Sequence, residues 1–264
     1  MSEVRTEMRR TILGLGLLGL AWTVLSPLGP GASFLSTPTR AATWATTAFT
    51  TTSFTTTAWA AEEQRAHHHA LDLEQYIARL ENPEREGWQK PDEVIQALAI
   101  KKGEVVADIG AGSGYFSVRL ARAVGPEGRV LALDPDERLL DYLRRRLAEG
   151  NVQNVTARTV PRDDPELPEG SVDLAFLCNV YHHIDGRPDY LRRLRRALKP
   201  TGRLVIVDFY KKTTPVGPPL GMRVDADTAR RELAEGGFRV EDGPAFLPYQ
   251  YVLVARPEAG SQRP

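Results

Sequence analysis

The run Val105-Val106-Ala107-Asp108-Ile109-Gly110-Ala111-Gly112-Ser113-Gly114-Tyr115-Phe116 constrains what this chain can fold into more than any other stretch. A short apolar segment ends in an acid and passes into a turn with three glycines. It continues as Ser117 to Val124, which reads as a helix with Val118, Leu120 and Ala121 available for packing. Strand, glycine turn and helix in that order aim backbone N–H groups and a helix N-terminus at a nucleotide-like ligand. Glycine is required there because a Cβ would keep a ligand off the backbone, and because tight turns call for positive φ.

The following strand, Arg129-Val130-Leu131-Ala132-Leu133, ends at Asp134. It lies at the distance beyond the glycines where doubly wound folds place an acid for ribose hydroxyls. A dinucleotide fingerprint would need glycine at position 115, and the chain has Tyr115. A carboxylate at Asp108 would also repel a pyrophosphate, whereas a sulfonium cofactor with a positive charge and an amino-acid end would gain from it. Asp108, Gly110, Gly112, Gly114 and Asp134 together resemble the first motif of the class I S-adenosylmethionine (SAM)-dependent methyltransferases, most of all the type 11-like branch that acts on small molecules. The resemblance implies that Asp108 and the loop Gly110, Ala111, Gly112, Ser113, Gly114 and Tyr115 hold the methionine portion of SAM. It further implies that Asp134, followed by Pro135, takes the ribose hydroxyls. Asp163 or Asp164 would accept from the adenine amino group, and Asn179 would contact the methionine end.

The rest of the chain alternates in the same manner. Glu137 to Leu147 carries Leu139, Leu140, Leu143 and Leu147 at helical spacing, Val155 to Val160 reads as a strand, and Ser171 to Leu177 reads as a strand buried on both faces. Pro188 to Leu198 reads as a helix closed by Lys199-Pro200-Thr201-Gly202. Arg203 to Phe209 is then a strand, Asp227 to Glu235 a helix and Tyr249 to Ala255 a last strand. Strands alternating with helices predict an α/β fold with a mostly parallel sheet covered on both faces. With the resemblance, which covers roughly Pro91 to Arg256, this becomes a Rossmann-like, doubly wound, seven-stranded sheet with an antiparallel last strand.

Ahead of this domain, Arg9-Arg10 precedes an apolar run from Thr11 to Leu25 and a Ser26-Pro27 breaker. We read residues 1–32 as a signal peptide or short membrane anchor, so the expected location is exported or membrane-anchored, the alternative being cytoplasmic. Residues 33–70 read as a Thr/Ala/Ser-rich linker that ends in His67-His68-His69, residues 71–257 as the catalytic domain and 258–264 as a tail. Inside the domain, Leu71, Leu73, Tyr76, Ile77 and Leu80 recur at helical spacing and Pro91-Asp92-Glu93 marks a helix start. The resemblance makes Tyr76 and Trp88 candidates for a lid over the cofactor.

Lys plus Arg and Asp plus Glu each number 34, and this balance gives no reason to expect nucleic acid. The single cysteine, Cys178, excludes an internal disulfide and a cysteine-cluster metal site. Tyr181-His182-His183 lies where an acceptor would approach, and a histidine there titrates near neutrality, so His182 or His183 is the candidate general base. The competing reading makes them structural. A metal on His182, His183 and Asp185 is disfavoured, because adjacent histidines rarely share an ion. The loop from Lys211 to Pro219, with Arg223 beyond, reads as a substrate cover whose cations would favour an anionic acceptor. The expected function is methyl transfer from SAM to a small-molecule acceptor. The alternatives are a SAM-binding sensor or inactive structural protein, and a nicotinamide-dependent oxidoreductase, against which Tyr115 and Asp108 weigh.

Overall fold

Apolar strands bounded by charged caps sort this chain into a single sheet, seen in a computed structural model that describes residues 73–258. The leader, linker and histidine run expected from the sequence, and all of the tail but its first residue, lie outside the described residues. Among those described, no helix is long and apolar enough to cross a membrane.

Helix α1 (73–80) and the short α2 (Arg85–Gln89) precede α3 (Pro91–Ala97), which starts with proline at its first position as expected. Then follow β1 (Val105–Ile109), α4 (Ser117–Val124), β2 (Arg129–Asp134), α5 (Glu137–Glu149), β3 (Val155–Thr159) and β4 (Val172–Cys178). The chain closes with α6 (Arg187–Ala197), β5 (Leu198–Phe209), α7 (Ala226–Glu235), β6 (Phe238–Asp242) and β7 (Gln250–Pro257). The sheet order is β3-β2-β1-β4-β5-β7-β6, parallel except for β7, which runs antiparallel to β5 and β6.

Alternation along β2 shows how the layers form. Val130 and Ala132 face the side covered by α3, α4 and α5, where Leu120, Leu140 and Leu143 are fully buried. Leu133 faces the side of α6 and α7, with Leu191, Leu194 and Leu233. All four leucines expected on the inner stripe of α5 are buried, and Asp136 caps that helix by accepting from the Arg138 N–H at 3.0 Å. After β2 and β3 the chain crosses to β4 on the other side of β1. The β1/β4 gap is therefore the switch point, and the carboxyl ends of these strands form the rim where such sheets bind ligands.

One boundary differs from expectation. Lys199-Pro200-Thr201-Gly202 does not merely close α6 but belongs to β5, because Val172 already pairs with Leu198 and Leu174 pairs with Arg203. The intervening residues form a bulge, clasped by Lys199 Nζ on Asp173 at 2.7 Å.

Candidate functional site at the carboxyl ends of β1, β2, β4 and β5

The glycine turn is built by steric exclusion. Gly110, Gly112 and Gly114 have φ of 68°, 55° and 79°. A Cβ on Gly110 would lie 2.3 Å from Val180 Cγ2, and one on Gly114 would lie 2.2 Å from Leu143 Cδ1. The turn is tied to β2 by the Gly110 and Ala111 N–H groups, which donate to the Leu133 carbonyl at 2.7 and 3.0 Å. Asp134 completes the tie. One carboxylate oxygen accepts from the Gly112 N–H at 2.8 Å and the other from the Asp136 N–H at 2.9 Å. Burial raises the Asp134 pKa above the usual carboxylate range, against the pull of those two N–H groups.

Asp108, near the end of β1, is buried at 3% exposure and accepts from the Ser117 hydroxyl at 2.6 Å. Desolvation dominates here and pushes its pKa up to about 7, with the nearby Asp134 charge adding to the rise. Such an acid stands ready for a cationic partner, whose charge would restore its ionisation.

The N-terminal helices close over the turn through contacts that sequence periodicity did not foretell. Glu81 accepts from the Ser113 hydroxyl at 2.5 Å and pairs with Arg146 at 2.8 Å. The Tyr115 ring is flanked by the guanidinium groups of Arg85 and Arg119, 3.8 and 4.4 Å from its centroid. Its hydroxyl donates to Glu86 at 3.1 Å, and burial raises its pKa to about 12. Of the lid candidates, Tyr76 stands near enough to Asp134 for that charge to help raise its phenol pKa, after the effect of burial. Trp88 packs on Phe209, ring centroids 5.6 Å apart.

A buried polar chain then links this lid to the sheet. Arg85 donates from Nε to Gln89 Oε1 at 2.8 Å, and Gln89 Nε2 reaches Cys178 Sγ at 3.1 Å and Gln250 Oε1 at 3.4 Å. Gln250 Nε2 in turn donates to Asn179 Oδ1 at 2.5 Å, and Asn179 has a positive φ of 61°. Arg85 carries a guanidinium that burial destabilises in its charged form, and its side-chain hydrogen bonds go to a neutral amide and the Leu80 carbonyl rather than to a carboxylate. Burial pushes the Cys178 thiol pKa well above the ordinary thiol range, with Arg85, Asp208 and Asp108 as lesser influences, which disfavours the reactive thiolate. Sequence spacing gave no signal for Arg85, Gln89 or Gln250.

The two histidines separate clearly. His182 Nδ1 lies 2.9 Å from both oxygens of Asp208, at side-chain exposures of 2% and 1%. Asp208 also accepts from the backbone N–H groups of His182 and Phe209, at 3.2 and 2.8 Å. A carboxylate only accepts, so Nδ1 carries the proton and Nε2 is the acceptor of the neutral ring. His183 is exposed, its ring 4.1 Å from that of His182, and the partial desolvation of its ring lowers its pKa. Among the described residues no group of three His, Cys, Asp or Glu side chains is placed to hold a metal.

The two acids of the loop after β3 differ in their engagement. Asp164 accepts from the Glu166 N–H at 2.8 Å and pairs with Arg193 of α6 at 3.3 Å, while Asp163 is exposed. Arg162 is the member of this loop whose charge reaches Asp134 and His183. In the cover loop, Arg223 is 6% exposed and donates to the carbonyls of Pro218, Tyr210, Lys212 and Val216, the shortest at 2.7 Å. Its charge organises the loop, leaving the exposed Lys211 and Lys212 as the outward cations.

The donor set suits SAM. A cation and an acid meet near Cys178 for the two ends of a zwitterionic amino acid, an acid stands at the end of β2 for a diol, and backbone without Cβ lies between them. Comparison with known proteins agrees. Residues 107–204 match the family model described as a methyltransferase domain. A ubiquinone/menaquinone biosynthesis C-methyltransferase, UbiE, of Pseudomonas entomophila is 34% identical over 124 residues, which are 45% of this chain and 47% of that protein. A demethylmenaquinone methyltransferase of Listeria monocytogenes is 28% identical over 128 residues, 48% of this chain and 53% of that protein. The chain thus spans about half the length of the curated relatives it matches. Among solved structures, a SAM-dependent methyltransferase from Aquifex aeolicus superposes with TM-score 0.66 at 26% identity, over 69% of this chain and 96% of that one. A Sulfolobus solfataricus protein described as a type 11 methyltransferase gives 0.51 at 25% identity, over 61% of this chain and 87% of that one. With the glycine turn, the two strand-end acids and the β3-β2-β1-β4-β5-β7-β6 sheet already in place, these likenesses show that residues 107–204 form a methyltransferase domain and that the chain is similar to S-adenosylmethionine-dependent methyltransferases in sequence and fold.

Proposed function

We propose that this protein transfers a methyl group from SAM to a small-molecule acceptor. The observation that carries the reading is the convergence on one rim of the glycine turn, Asp134, Asn179 and the enclosed His182–Asp208 pair. When bound, SAM supplies a methyl group activated by its sulfonium charge. The protein's own residues have to hold and align the partners, and positioning of that kind can lower a barrier by about 7–11 kcal/mol in favourable cases.

In this reading Asp108 and Asn179 hold the ammonium of the methionine end and Arg85 its carboxylate. The backbone from Gly110 to Gly114 follows the ligand at close range, Asp134 with Pro135 takes the ribose hydroxyls, and Tyr76 covers them. Asp163 is preferred over Asp164 for the adenine amino group, because Asp164 is already engaged with the Glu166 N–H and Arg193. His182 is the base. Asp208 fixes its tautomer and steadies the imidazolium that forms when Nε2 takes a proton from the acceptor, an effect of about 10²–10⁴-fold in comparable systems. His183 is left to the rim.

Calorimetric titration of the full chain tests the cofactor half of this proposal. SAM or S-adenosylhomocysteine is expected to bind at micromolar strength, about −8 kcal/mol, with no heat from NAD. Asp134→Ala is expected to weaken that binding by ten-fold or more. Preferential binding of NAD would overturn the reading. Tight SAM binding with no S-adenosylhomocysteine formed across a broad panel of acceptors would favour a SAM-binding sensor instead.

A further inference from the structure

A second cavity, of about 670 Å³, lies at the end of the sheet away from the glycine turn. It is lined by Glu104 just ahead of β1, Asp173 near the start of β4 and Arg203 within β5, all toward the amino ends of parallel strands. Its size is in the range of about 300–1,000 Å³ typical of small-molecule sites. The cofactor rim described above uses the carboxyl ends of the same strands, so the two sites are distinct.

The floor is apolar and preformed. Val205 of β5 and Val252 and Val254 of β7 line it together with Leu98 and Phe246. Phe246 is held there by the β6–β7 loop, which lies tight against the sheet. The Gly243 N–H donates to the Val252 carbonyl at 2.8 Å, and a Cβ on Gly243 would stand 2.5 Å from Val252 Cγ1. Arg203 forms an end wall, locked by Glu104 at 3.1 Å and by the Leu98 carbonyl at 2.9 Å.

The charges at the rim do not cancel. Asp173, Asp242 and Glu241 are each paired, with Lys199 at 2.7 Å, Arg230 at 2.6 Å and Arg239 at 3.1 Å. Lys102 donates to a neutral carbonyl, that of Arg122. Lys101 and Arg256 are exposed and have no side-chain hydrogen bond or ion pair among the described residues. Uncompensated charge at this mouth is therefore positive, above a floor of valines.

We propose that this groove is a second ligand site, for an amphiphilic carboxylate whose apolar chain lies on the valine floor while its anion rests at the rim with Lys101 and Arg256. The chemistry is that of a medium-chain fatty acid. This assignment does not depend on methyl transfer and adds a site to it.

Sodium decanoate is the probe, titrated calorimetrically into the full chain below its micellar concentration, beside 1-decanoyl lysophosphatidylglycerol. One decanoate is expected to bind per chain. The double variant Lys101→Glu/Arg256→Glu is expected to weaken it ten-fold or more with unchanged affinity for S-adenosylhomocysteine and unchanged Tm, because both positions are exposed. Four results would overturn the proposal: no decanoate binding, equal affinity in the double variant, displacement of decanoate by S-adenosylhomocysteine, or tighter binding of the lysophospholipid, which would assign the groove to a lipid headgroup.

Discussion

His182 and Asp208 come from different elements, the turn after β4 and the end of β5, yet Nδ1 stands 2.9 Å from both carboxylate oxygens. Register brings them together. Cys178 pairs with Val207 across the β4–β5 ladder, so the residues just beyond each strand end are neighbours on the rim.

Replacing Asp208 with Asn removes an obligate acceptor and allows the imidazole to adopt the other tautomer. Asp208→Asn and His182→Ala are expected to lower kcat by about 10²–10⁴-fold while S-adenosylhomocysteine affinity changes by less than a few-fold. His183→Ala is expected to leave kcat within a few-fold. Equal losses for the two histidines, in steady-state kinetics on an identified acceptor, would return both to a structural role.

Asp108 ties stability to pH. Its folded pKa of about 7 lies above the unfolded value, so the native state holds this proton more tightly than the unfolded chain does. The associated stability is fully present below about pH 4 and is lost as pH rises through 7. Calorimetric unfolding of the apo protein should therefore show Asp108→Asn gaining on the wild type between pH 5 and pH 8, by about 1–3 kcal/mol. The same variant is expected to bind SAM more weakly. A flat difference between the two pH values would remove Asp108 as the source.

Gly114 and Gly103 separate strain from collision. Both have positive φ, 79° and 83°, but a Cβ on Gly114 meets the buried Leu143, while nothing lies within 4 Å of one on Gly103. Gly103→Ala is expected to cost about 1 kcal/mol and Gly114→Ala about 2–4 kcal/mol, from backbone strain plus overpacking. Urea denaturation of the two variants checks the order.

Gln250 is 1% exposed and bridges Gln89 to Asn179. Gln250→Leu removes the hydrogen bonds to the buried Gln89 and the half-buried Asn179 and is expected to destabilise by about 1–3 kcal/mol. It also releases the Asn179 side chain, so SAM affinity is expected to fall with stability. Adding Gln89→Leu is expected to cost further stability, because the Arg85 guanidinium then loses its Gln89 acceptor, and to restore none of the affinity. A variant that loses stability but keeps its SAM affinity would show that the chain serves packing alone.

The glycine turn, the two strand-end acids and the order of strands and helices follow from local sequence. A positive φ, a leucine stripe at helical spacing and an acid after an apolar run are all settled within a few residues of chain. Even the rim placement of Asp208, His182 and Asn179 follows once the strands are taken as parallel. What only the tertiary structure decided are relations between residues far apart in the chain. Lys199 to Gly202 joined β5 because β4 offered an early pairing with Leu198, which no local propensity reports. Arg85, Gln89 and Gln250 became a buried chain because α2 docks beside β7, 161 positions separating the two glutamines. Asp163 and Asp164 look equivalent in sequence, and the position of α6 alone commits Asp164 to Arg193. Backbone conformation is written in neighbours along the chain, whereas hydrogen-bond partners and charge compensation are set by which strands and helices pack together.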